Sequence, residues 1–179
     1  MSKTAWIEDG KDSVVDRVNA RVNWLTGLET TKMLDRHKEG RKEEYEFLQI
    51  NMYGVGGHYS LHQDPMYVYK DSDYIAKSVE QRRPEDRYNT GDRMSTFMFY
   101  LRGAQKGGNT AFPRLGVAAS PVARSAIFWH NLRHDGSSDM AMLHAACPVL
   151  LGNKVVANKW VREVANIFHR PCRLDRETS

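Results

Sequence analysis

Residues 56–65 read Gly-Gly-His-Tyr-Ser-Leu-His-Gln-Asp-Pro, and the choice of fold turns on this stretch. On an extended strand, side chains i and i+2 point to the same side. His62 and Asp64 have that spacing, so an imidazole and a carboxylate converge if the strand runs through both. Such a pair is either hydrogen-bonded to itself or two ligands of a metal site whose third ligand lies elsewhere. His58 stands four residues before His62 and would share its face on a regular strand.

Outward from this stretch the texture is that of short strands. Before it, "YEFLQINMY" alternates, with Leu48, Ile50 and Met52 on one side and Phe47, Gln49, Asn51 and Tyr53 on the other. After it comes a charged insert from about Tyr67 to Asn89, read as a solvated loop or as a modifier of ligand choice. Then come "RMSTFMFYL", "GNTAFP", "SAIFWHNL", "AMLHAACPVL" and "KVVANKW", separated by Gly-, Pro- and Asn-rich turns. About six short strands with such punctuation predict a sandwich or barrel. Near the N-terminus, "DSVVDRVNARVNWLTGL" predicts a helix with Val15, Val18, Val22 and Leu25 on one face. Ser13 is placed to cap it, with Asp16 three residues on, and Gly27 to stop it. The charged stretch up to Glu44 has no clear period. The expected class is β-rich α+β with an N-terminal helix.

The chain has 179 residues, 41% of them hydrophobic, enough for one domain with a sizeable core. No apolar run is long enough to span a bilayer, and "MSKTAWIEDGKDS" has no signal-peptide pattern. The formal charge of +4 is spread along the chain, which argues against nucleic-acid binding. The two cysteines, Cys147 and Cys172, have no C-x-x-C spacing.

Seven histidines are available as a third ligand. His37 and His169 lie in charged surroundings and read as surface residues; His130 and His134 flank a turn. His144 lies in the apolar run "AMLHAACPVL" and, read alone, is more readily a hydrogen-bonded core histidine. Across the following turn stands Lys154, which shares a strand face with Val156, Asn158 and Trp160. An inward lysine is costly unless it meets an anion. Two histidines and a carboxylate on one side of a metal form the facial triad of non-haem Fe(II) oxygenases. A buried cation beside it would hold the far carboxylate of a dicarboxylic cosubstrate. Lys159, on the opposite strand face, reads as solvated or structural.

The stretches "YGVGGHYSLHQD", "HAACPVLLGNKVVANKW" and "FHRPC" together closely resemble the catalytic domain of collagen-type prolyl 4-hydroxylase alpha subunits. The resemblance implies a double-stranded β-helix, jelly-roll-like, with residues 1–44 as a helix and charged loop of the catalytic domain, 45–172 as the dioxygenase core and 173–179 as a tail. It implies His62, Asp64 and His144 as ligands of Fe(II), Lys154 and Tyr53 as 2-oxoglutarate contacts, and Trp160 near the pocket and the peptide. It implies a disulfide between Cys147 and Cys172. The implied reaction is that of a procollagen-proline 4-dioxygenase: hydroxylation of peptidyl proline at C4 with Fe(II), O2 and 2-oxoglutarate, giving succinate and CO2, with L-ascorbate as protectant of the iron. The implied partners are a proline-rich, collagen-like peptide and protein disulfide isomerase as beta subunit. The implied compartment is the endoplasmic reticulum lumen, with no nucleic acid and no membrane span. A truncated, non-catalytic homologue that binds peptide or a sister subunit is the alternative.

Overall fold

The computed structural model describes residues 2–30, 46–66, 91–171 and 173. His37, Cys172 and the charged insert at 67–89 lie outside the described residues. The described chain opens with β1 (Lys3–Ile7), a strand that sequence patterning does not separate from the leading segment, and α1 (Ser13–Thr26). Then come β2 (Leu48–Tyr53), β3 (Tyr59–His62), β4 (Arg93–Arg102), β5 (Lys106–Gly107), β6 (Thr110–Phe112), β7 (Val117–Ala119) and β8 (Ala126–His130). The series ends with β9 (His144–Ala146), β10 (Val149–Leu151) and β11 (Lys154–Arg162).

The helix begins one residue earlier than Ser13 would set it. Asp12 is the cap: its backbone is extended and its carboxylate accepts the Val14 N–H at 2.7 Å. Gly27 ends the helix as expected, at φ 69°, and donates its N–H to the Asn23 carbonyl at 2.9 Å. The buried face is Val15, Asn19 and Val22, whereas Leu25 is 61% exposed. A polar residue is tolerated in that face because the Asn19 amide donates to Asp9 Oδ1 at 2.8 Å.

Two antiparallel sheets carry the fold, in the orders β1-β2-β11-β4-β8 and β3-β9-β6-β7, with β5 and β10 paired beside them. Tyr53, Met98, Tyr100, Trp129 and Val156 of the larger sheet share one buried cluster with Phe112 of the smaller sheet and Val149. The two sheets therefore pack face to face, as the jelly-roll reading expects. The outer face of the larger sheet is covered by α1, where Val15 packs with Leu48, Ala157, Ile7, Ile50 and Phe99. Val15 and Leu48, the large side chains fully buried there, contribute roughly 1.5–3 kcal/mol each.

Strand β2 keeps the predicted alternation but turns it inside out. Leu48 and Ile50 face the helix. Gln49, Asn51 and Tyr53 line a cavity between the sheets. A strand that sends its polar side inward prepares a wet interior, not a dry core. The turn after β2 is tight: a Cβ on Gly57 would lie 2.7 Å from the Gly54 carbonyl oxygen, so only glycine fits. Hydrogen bonds from Gly56 N–H to Val149 O (2.8 Å) and from Val149 N–H to Gly57 O (3.1 Å) pin this turn to β10 and so set the start of β3.

Candidate metal and cosubstrate site

Strand β3 ends at His62, so Asp64 lies just beyond it and not on it. The convergence survives because the partner strand supplies the geometry. His62 stands directly opposite His144 in the β3–β9 ladder, and their ring centroids are 4.3 Å apart. Asp64 Oδ1 lies 3.8 Å from His62 Nε2 and 3.7 Å from His144 Nε2. These distances exceed hydrogen-bond range. One ligand atom from each of the three residues lies within 4.8 Å of the others. His144 and Asp64 are buried and His62 is half-buried.

Hydrogen bonds leave the right atoms free. His62 Nδ1 is 2.7 Å from the Ser60 carbonyl oxygen, and His144 Nδ1 is 2.9 Å from that of Met142. A carbonyl can only accept, so each ring carries a proton on Nδ1 and turns its Nε2 toward Asp64. Burial, reinforced by the neighbouring His144, pushes the His62 imidazole below its ordinary pKa, which favours the neutral ligand form. Three convergent donors, two imidazoles and a carboxylate, suit a divalent first-row cation.

The histidines outside this set have other roles. His58 precedes β3, is exposed, and bonds its own turn at Gly56 O (2.9 Å). His169 is exposed, as expected. His130 Nδ1 is 2.7 Å from Ser95 Oγ, and burial pushes its pKa down to about 4. His130 and His134 line a separate, mainly apolar cavity of about 650 Å³ between β7 and β8.

The triad opens into a more polar cavity of about 340 Å³. Lys154, Val156, Asn158 and Trp160 all line it, so the assumed β11 register holds. Lys154 stands opposite Tyr53 in the ladder and is 1% exposed. Its Nζ donates to Thr110 Oγ1 at 3.2 Å and lies 5.5 and 5.4 Å from the Tyr53 and Tyr100 ring centroids. No carboxylate pairs with it among the described residues, and burial pushes its pKa down to about 8. Burial likewise raises the Tyr53 phenol to about 12, which keeps it a donor. A buried ammonium with one hydroxyl partner and two aromatic rings beside it fits a ligand carboxylate. Lys159 is instead fully buried on the helix side, donating to Asp9 Oδ2 at 2.6 Å and Glu46 O at 2.8 Å, so it is structural and not solvated.

Several lining residues carry no signal in the sequence. Arg93 lies 3.6 Å over the Trp160 ring and forks onto Glu46 at 2.7 and 2.6 Å. Trp160 also meets Trp6 of β1 at 6.0 Å. Trp129 packs edge-on against His144 at 5.0 Å. The Trp129 and Trp160 indole N–H groups and Asn158 Oδ1 are buried with no hydrogen-bond partner among the described residues. Cys147 is half-buried, and its implied partner Cys172 lies outside the described residues.

Comparison with known proteins places this chain in a family. The profile of the 2OG-Fe(II) oxygenase superfamily matches residues 48–162. The chain is 41% identical over 177 residues to prolyl 4-hydroxylase subunit alpha-2 of Caenorhabditis elegans, covering 99% of this chain and 29% of that protein. It is 38% identical over 174 residues to prolyl 4-hydroxylase subunit alpha-1 of Homo sapiens, covering 97% and 28%. The chain thus spans less than a third of the length of these relatives. The viral collagen prolyl hydroxylase of Paramecium Bursaria Chlorella virus-1, solved as a 2OG complex, superposes with a TM-score of 0.66 at 24% identity, over 90% of this chain and 79% of that one. That likeness supports the fold, a double-stranded β-helix. Every strand that holds His62, His144, Lys154 or Tyr53 falls within the matched span, and the chain belongs to the 2OG-Fe(II) oxygenase superfamily.

Proposed function

We propose that this chain is the catalytic part of a peptidyl-proline 4-hydroxylase. The observation that carries the reading is a His62–Asp64–His144 cluster sharing a cavity with a buried lysine that has no carboxylate partner among the described residues. The prolyl 4-hydroxylase relatives, similar along nearly the whole chain, supply the reaction class.

Bound Fe(II) with 2-oxoglutarate would supply the activation of O2 that inserts an oxygen at C4 of proline, with succinate and CO2 as co-products. The chain's own part is placement. His62 and His144 would hold the metal through their Nε2 atoms and Asp64 through one carboxylate oxygen. Lys154, with Thr110 and Tyr53, would receive the distal carboxylate of 2-oxoglutarate. Trp160, held between Trp6 and Arg93, would border the peptide. The aromatic wall of Trp129 and Phe112 against His144 keeps bulk water from that ligand.

The same reading carries L-ascorbate as reductant, residues 1–44 as part of the catalytic domain, 45–172 as its core and 173–179 as a tail. It also carries the Cys147–Cys172 disulfide, an endoplasmic reticulum lumen location and protein disulfide isomerase as a beta subunit. Co-purification with that isomerase tests the pairing. The central test is incubation with Fe(II), 2-oxoglutarate, ascorbate and a (Pro-Pro-Gly) peptide. The expected result is a peptide gain of one oxygen, placed on C4 by fragmentation or NMR, with matching succinate. Peptide binding with no succinate would favour the non-catalytic alternative.

A further inference from the structure

The triad leaves one feature of Asp64 unexplained: what decides which of its two oxygens faces the histidines. Asp64 is 7% exposed, so solvent does little to orient its carboxylate. Thr96 Oγ1 donates to Asp64 Oδ2 at 2.5 Å. Asn131 Nδ2 donates to Thr96 Oγ1 at 2.8 Å. Thr96 and Asn131 are each 1% exposed. Asn131 is itself pinned, its N–H on the Met94 carbonyl and its own carbonyl accepting from the Asp139 N–H, both at 2.8 Å.

The direction of this chain of hydrogen bonds is set by donor chemistry. A carboxylate only accepts, so the single Thr96 hydroxyl proton goes to Asp64. The Thr96 oxygen is then an acceptor, and the face of Asn131 turned toward it must be its NH2. Each bond polarises the next, in a buried setting where such bonds are strong. Oδ2 is occupied, and only Oδ1 is left facing the two Nε2 atoms. Shape does not explain the residue at position 96. On β4 it stands across from Trp129 and Trp160, and valine would fill the same volume.

We propose that Thr96 and Asn131 are positioning residues that hold Asp64 as a one-oxygen metal ligand. The proposal rests on the reading of His62, Asp64 and His144 as the metal site. It assigns the Asn131–Thr96–Asp64 relay a share of the metal affinity and none of the cosubstrate recognition. Removing an outer partner of a metal ligand typically costs about ten- to a hundredfold in affinity.

The test is Mn(II) affinity of the full chain by calorimetry, with thermal melting of each variant and KM for 2-oxoglutarate at saturating Fe(II). Thr96→Val should bind Mn(II) about ten- to a hundredfold more weakly, with a cooperative melt and an unchanged KM. Thr96→Ser, which restores the hydroxyl, should return affinity to within about threefold of the parent. If Thr96→Val does not fold, Asn131→Ala reads the same relay, and parental affinity there overturns the proposal. Parental affinity in Thr96→Val, or equal weakness in Thr96→Ser and Thr96→Val, also overturns it. Asp64→Ala separates the two levels. Loss of Mn(II) binding there with no change in Thr96→Val defeats the relay alone. Parental binding in Asp64→Ala defeats the metal-site reading together with the relay.

Discussion

At the scale of single residues, the proposed site has a metal end and a carboxylate end, and the two should fail separately. His144→Ala removes one of three convergent donors and should abolish both Fe(II) retention and succinate formation. Asp64→Asn keeps the volume and loses the anion, so metal should bind much more weakly. A His144→Ala chain that still makes succinate at the parental rate would remove His144 from the ligand set. Lys154→Ala should spare the metal and raise KM for 2-oxoglutarate about a hundredfold or more, since losing one partner of a buried charge pair costs about 3–5 kcal/mol. The depressed Lys154 pKa of about 8 adds a signature in pH. Below that value the empty site already holds an ammonium. Above it the site holds a neutral amine, and binding the carboxylate must take up a proton. KM for 2-oxoglutarate should therefore rise roughly tenfold per pH unit above 8, and the rise should vanish in Lys154→Arg, whose guanidinium stays charged. A flat wild-type profile between about pH 7 and 9.5, a window that brackets the pKa, would count against the carboxylate role. Lys159 is unsuitable as a neutral control, because its ammonium is fully buried. Arg102, on the exposed surface, serves that purpose better.

At the scale of elements, the N-terminal segment is tied to the sheet by charge as well as by apolar contact. Asp9, in the connection between β1 and α1, meets both Lys159 of β11 and Asn19 of α1. Asp9→Ala would remove the carboxylate that the buried Lys159 ammonium meets at 2.6 Å and should cost about 3–5 kcal/mol of stability. Asp12→Ala, three residues on, removes only the helix cap and should cost about 1 kcal/mol. Denaturant melts of the two variants should differ clearly; equal midpoints would mean that the buried pair contributes little beyond a surface cap. The order of these effects is not legible in the sequence. Asp9 and Asp12 look alike there, and only the packing shows that one carboxylate faces a buried lysine and the other an exposed helix end. Leu25 makes the same point in reverse. Its spacing matches the apolar face, yet Asn19 holds the inward position because Asp9 satisfies its amide.

At the scale of the whole molecule, stability should fall in mild acid. The His130 pKa is pushed down from 6.5 to about 4 by burial, with Arg170 and His134 adding to the effect. Below about pH 6.5 the unfolded chain takes up a proton that the folded chain refuses, so stability is lost as pH falls from about 6.5 toward 4. Urea unfolding at about pH 7, 6 and 5 should show that loss, reduced in His130→Asn; identical slopes for the two proteins would exclude His130 as its source. In an oxidising compartment the proposed Cys147–Cys172 bridge would add roughly 3–4 kcal/mol, and two freely alkylated thiols in unreduced protein would rule it out. Much of the protein was determined by local patterning alone. Strand alternation, glycine turns, the HxD spacing and the two late strands bearing His144 and Lys154 are short-range features, set by backbone geometry within a few residues. The tertiary structure decided the rest. It paired β3 with β9 so that His62 faces His144, and β2 with β11 so that Tyr53 faces Lys154. It also brought Thr96, Asn131, Arg93 and Trp129 to the site from strands or strand ends with no motif of their own. Periodicity records which side of its own strand a residue takes, whereas the residue it meets there depends on register between strands distant in sequence, which no local pattern encodes.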